Sequence, residues 1–151
     1  QDFSVRNITL NVFVISGLLG FGGLYYYSGE VENHYKANAD RYLKASLEKI
    51  SSWEVSDLKS ELGKETLAEV SDQQLQELTA SYRHLGAFTD MDEPIFSRLS
   101  GALSILNHPP KLSYSSNVRF EHGSAIMTAT LTLENQHFKY YNLNLGAPAN
   151  K

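Results

Sequence analysis

Residues 112–145 read LSYSSNVRFEHGSAIMTATLTLENQHFKYYNLNL, and the period of this stretch decides the fold. Leu112, Tyr114, Val118 and Phe120 alternate with Ser113, Ser115, Asn117, Arg119 and Glu121, which is the pattern of a half-buried strand. His122-Gly123 reads as a turn. Ala125, Met127, Ala129, Leu131 and Leu133 then alternate with residues that include Thr128, Thr130 and Thr132, until Asn135-Gln136 turns the chain again. The last strand runs from His137 to Leu145, and its many aromatic residues leave open which face is buried. Upstream, a further strand is predicted near Ala87 to Phe96, interrupted at Pro94. Residues 97–110 read as a loop with one helical turn, closed by His108-Pro109-Pro110.

Before residue 87 the period changes to 3.6. Val31, Tyr35, Ala39, Tyr42, Ser46, Ile50 and Trp53 recur at steps of three and four, so one face of a long helix is buried. Val55, Leu58 and Leu62 predict a short helix that stops at Gly63. Ser71 with Gln74 three residues on is a capping box; Leu75, Leu78, Tyr82 and Leu85 form the stripe behind it, and Gly86 closes it. Helices followed by a meander of about four antiparallel strands make an α+β domain with its helices on one face of the sheet.

The N-terminal end differs from the rest. No charged side chain occurs between Asn7 and Gly29, and Ile8 to Tyr27 is nearly all apolar. At about 1.5 Å per residue such a run reaches about 30 Å, the thickness of a bilayer's hydrocarbon. The expectation is an uncleaved transmembrane helix within residues 1–28, an extracytoplasmic domain over 29–146 and a short tail at 147–151. Arg6 before the run, and Glu30 and Glu32 after it, put the N-terminus in the cytoplasm and the domain in the periplasm or an equivalent space. Tyr25, Tyr26 and Tyr27 would anchor the helix at the membrane–water boundary. Ser16, Gly17, Gly20 and Gly23, with Gly22, make a small-residue face suited to packing against another membrane helix.

Three segments carry a family resemblance: Tyr82-Arg83-His84-Leu85-Gly86, then Val118 to Ala125, and Phe138-Lys139-Tyr140-Tyr141-Asn142-Leu143-Asn144-Leu145. Together with the order of elements they resemble the NTF2-like superfamily of cone-shaped α+β domains, in its small, membrane-anchored bacterial periplasmic form. Phe138 stands where tryptophan is usual in the closing strand. The resemblance implies a long first helix wrapped by a bent sheet over residues 30–146. It implies no activity, because that fold carries isomerases, dehydratases, scaffolds and secretion subunits alike.

The 151 residues carry 17 acidic against 13 basic side chains, a net charge of -4, which argues against nucleic acid as a partner. Without cysteine there is no disulfide, thiolate nucleophile or thiolate-held metal. The five histidines, His34, His84, His108, His122 and His137, show no metal-ligand spacing, and no Gly-x-Ser-x-Gly elbow is present. Asp90 and Asp92 would share a strand face, and beside Tyr82 and Tyr114 they form the candidate pocket of a conical ligand site. Against this, clustered acids are usually solvated, and tyrosines pack and make interfaces more often than they catalyse. The sequence therefore points to a non-enzymatic accessory or assembly subunit without a cofactor. Its expected partners are the lipid bilayer and integral membrane proteins of a larger complex. A tethered NTF2-like ligand-binding or isomerase domain, and a self-associating homodimer, are the alternatives.

Overall fold

The alternation in residues 112–134 becomes two long paired strands in the computed structural model. The structure describes the backbone of residues 2–106 and 108–148, and the side chains of residues 22, 23, 26–104, 106 and 108–148. The sheet has five antiparallel strands: β1 (Phe88–Met91), β2 (Ile95–Phe96), β3 (Leu112–Phe120), β4 (Gly123–Glu134) and β5 (His137–Gly146). β3 pairs with β4 and β4 with β5, as a meander. β1 and β2 both lie on the free edge of β3, one opposite Val118–Phe120 and the other opposite Tyr114–Ser115. Asp92–Pro94 separate the two, since proline gives no donor to a ladder. Asn135 and Gln136 both take positive φ, the two-residue hairpin turn that matches strand twist.

The helices are α1 (Asp2–Ile50), α2 (Val55–Ser60), α3 (Lys64–Glu69), α4 (Asp72–Tyr82) and α5 (Arg98–Leu103). Single 3-10 turns follow α4 and α5. The capping box of α4 forms as the sequence predicts, with the Ser71 hydroxyl accepting from the Gln74 N–H and the Gln74 side chain returning to the Ser71 N–H. The core lies between α1 and the inner sheet face: Leu43, Leu47 and Ile50 join Leu112, Val118, Met127, Leu131 and Tyr140. Leu43 and Leu47 belong to the fully buried set although the sequence stripe ran through Tyr42 and Ser46. A helix lying along a sheet buries more than one residue per turn, so the stripe widens to take them in.

β5 explains its own ambiguity. Its register slips opposite Thr130–Leu131, where Thr130 faces Asn142 and Leu131 faces Tyr140, leaving Tyr141 as a bulge. The bulge inverts the alternation along the strand. Phe138 and Tyr140 therefore share the inner face with Leu143 and Leu145, although their numbers differ in parity.

The fold class needs one correction. Among the described residues no helix is long and apolar enough to cross a membrane, which overturns the expected transmembrane helix. The physical reason lies at the end of the apolar run. Ser28 is buried and donates to the Arg98 carbonyl at 2.7 Å, and Val31 belongs to the core. Tyr27 packs half-buried against that core, so the turn expected at a lipid boundary is held by protein. α1 runs on through Ser28 and Gly29 as one helix. The sheet is also larger than expected, five strands instead of about four.

Candidate functional site

α5 is a helix turned inside out. Its N-cap, Ser97, accepts from the Ser100 N–H, and Ser97 also hydrogen-bonds by its N–H to the Ser113 carbonyl on β3. Gly101 and Ser104 are buried against α1. A Cβ on Gly101 would stand 2.6 Å from the Ser28 hydroxyl and 2.7 Å from the Phe96 ring, so only glycine permits this approach. The Arg98–Glu32 ion pair at 3.1 Å closes the contact from the side. With the small residues facing inward, the large ones face solvent. Leu99 is 69% and Leu106 is 79% exposed, Leu103 between them is 46% exposed, and Ile95 just before the helix is 70% exposed. Leu99, Leu103 and Leu106 recur at steps of four and three, as one stripe along α5 and the 3-10 turn that continues it.

Beside this stripe lies an open-sided groove of about 420 Å³. One wall is two turns of α1, with Tyr27, Glu30, Val31, His34 and Tyr35; Ser104, His108 and Pro110 form the other. Residues 27, 30, 31, 34 and 35 share a helix face by their spacing. His34 stands edge-on to Tyr35 with ring centres 4.6 Å apart, and Tyr35 meets Phe138 at 6.1 Å. The Ser104 hydroxyl is already spent on the Gly101 carbonyl at 2.6 Å.

The four residues of the predicted pocket are not brought together. Asp90 and Asp92 are exposed, and both bond the guanidinium of Arg119, Asp92 at 2.9 Å. Asn117 adds a bond to Asp92 at 3.1 Å. Arg119, and then Asn117, hold the Asp92 carboxyl below its ordinary range. Tyr82 stacks on Trp53 and donates its hydroxyl to the Leu145 carbonyl at 2.7 Å. Tyr114 is buried in the core beside Phe96, its hydroxyl without a hydrogen-bond partner among the described residues, and burial pushes its phenol up. The two acids thus face water on an ion pair while the two tyrosines point inward.

Of the predicted helix-packing residues, Ser16, Gly17 and Gly20 lie outside the described side chains. Gly23 is exposed, with open space where a Cβ would stand. Tyr25 also lies outside the described side chains, Tyr26 is 71% exposed, and Tyr27 lines the groove. No group of three histidine or acidic side chains among the described residues could hold a metal ion. The stripe of α5 escaped the sequence reading, although Ser97, Ser100, Gly101 and Ser104 interleaved with Leu99, Leu103 and Leu106 carry its signal. Comparison with protein-family models, with curated proteins and with solved structures finds no match.

Proposed function

We propose that this chain is a non-catalytic docking or assembly subunit that recognises another protein through the leucine stripe of α5. The carrying observation is the orientation of that helix, whose small residues are buried and whose leucines are exposed. Leaving Leu99 and Leu106 in water forgoes about 1.5–3 kcal/mol of burial each, which a partner surface would recover. Exposed apolar side chains scattered singly are ordinary, but a contiguous stripe marks an interaction surface. The acids that would serve an isomerase-type site are engaged by Arg119 instead, which favours docking over a conical ligand pocket. The proposal also takes the domain as NTF2-like, on the three segments that carry that resemblance, since the superfamily includes non-catalytic subunits.

The test places a photo-cross-linking amino acid at Leu99 or Leu106 of the full chain in its native cells, with Thr128 on the opposite sheet face as control. A discrete heteromeric adduct from the α5 positions, lost when the other of Leu99 and Leu106 is changed to serine, would support docking. Adducts only between copies of this chain would replace the proposal by self-association. Equal background from α5 and Thr128 would overturn it.

A further inference from the structure

We infer that the partner brings a cationic side chain, lysine or arginine, into the groove between α1 and the residues Ser104, His108 and Pro110 while its apolar residues cover the α5 stripe. This rests on the docking proposal and adds the chemistry of what docks. Stripe and groove are continuous: Leu103 and Ser104 are neighbours in the chain, one on the stripe and the other on the groove wall, and Leu106 stands two residues before His108. One partner segment can therefore meet both.

Charge selects the occupant. Among the described residues Glu30 is the one acidic residue lining the groove, no lysine or arginine lines it, and no cation pairs with Glu30. Arg98, on the adjoining helix, pairs with Glu32. An entering carboxylate or phosphate would find no lysine or arginine among the described lining residues, only the imidazoles of His34 and His108 beside the Glu30 carboxylate. An ammonium or guanidinium would find the Glu30 carboxylate together with the rings of Tyr27 and Tyr35, one on either side of it along α1. Carboxylates and tyrosine faces both attract such cations, and the guanidinium stem is apolar enough to lie along Val31 and Pro110. The imidazoles of His34 and His108 make no hydrogen bond among the described residues, and a neutral imidazole can accept from the remaining N–H groups. The groove's 420 Å³ leaves room for such a group.

The experiment titrates the full-length protein with N-acetyl-arginine N-methylamide and, separately, with its neutral isostere N-acetyl-citrulline N-methylamide, following the imidazole and tyrosine ring signals by NMR. The arginine probe should shift His34, His108, Tyr27 and Tyr35 and bind at least about tenfold more tightly than the citrulline probe. Glu30→Gln, an exposed change on a helix surface, should remove most of that preference, and Leu99→Ser should leave it intact. Equal binding of the two probes, or arginine binding unaffected by Glu30→Gln, would overturn the inference. In either case the cross-links from Leu99 and Leu106 judge the docking proposal separately. Failure of this inference with heteromeric adducts still formed would mean an apolar partner without a cation.

Discussion

Arg119 sits on the outer face of β3 with Asp90 and Asp92 both on its guanidinium, and this arrangement sets the acid behaviour of the sheet edge. Asp92 is held below its ordinary value by Arg119 and Asn117. Asp40, on α1, is pushed the other way by partial burial, which its neighbour Lys36 only partly offsets. The signs follow from linkage. Asp92 contributes stability that is present above its unfolded value, near pH 4, and lost as the pH falls through its lower folded value. Asp40 carries a cost that is present above its raised folded value and disappears as the pH falls through the unfolded one. Carboxyl NMR across an acid titration should therefore show Asp92 protonating last and Asp40 first of the two. Arg119→Gln should bring Asp92 back up toward its ordinary value and leave Asp40 unmoved. If Asp92 keeps its depressed value without Arg119, the ion pair is not what stabilises the carboxylate.

At the scale of elements, what the sequence shows depends on whether a segment buries one face regularly. β3 and β4 do, so their pattern could be read directly, and so could the reciprocal Ser71–Gln74 cap. α3 has no fully buried residue and packs only Leu67 half-buried against the core, so no periodicity announces it. α5 reverses the usual pattern by turning Gly101 and Ser104 inward, and a reading that equates leucine with burial passes over it. β5 hides its faces behind the Tyr141 bulge, which makes a sharp prediction possible. Deleting Tyr141 leaves Tyr140, Asn142 and Leu143 in the in–out–in order that a regular ladder needs. The variant should fold, losing only the Thr66 bond to the Tyr141 carbonyl at 2.7 Å and the Lys111 contact with its ring at 4.8 Å. The expected loss is about 1–2 kcal/mol in denaturant unfolding. Deleting Asn144 instead puts Leu143 and Leu145 on opposite faces and should cost more than about 2 kcal/mol. Equal losses for the two deletions would contradict the register.

Over the whole molecule, buried and exposed leucines occupy different surfaces of the same helix pair. The leucines of α1 and the sheet carry the fold, while those of α5 sit outside it. The candidate site was illegible for a related reason: Glu30 and His34 come from α1 and His108 from a loop far along the chain, and the packing of α5 on α1, with Gly101 against Ser28, brings the walls together. This division has a measurable consequence. Leu43 is fully buried at the centre of the α1–sheet contact, so Leu43→Ala should cost about 2–5 kcal/mol through lost transfer energy and the cavity left behind. Leu99 is 69% exposed, so Leu99→Ser should stay within about 0.5 kcal/mol of the parent in denaturant unfolding of the isolated chain. The same serine variant should weaken association in the cross-linking experiment, and Leu43→Ala should affect association only at temperatures where it unfolds the domain. A large stability loss from Leu99→Ser would show that α5 supports the fold through its leucines, and its stripe would then be part of the core's perimeter instead of a surface kept for a partner.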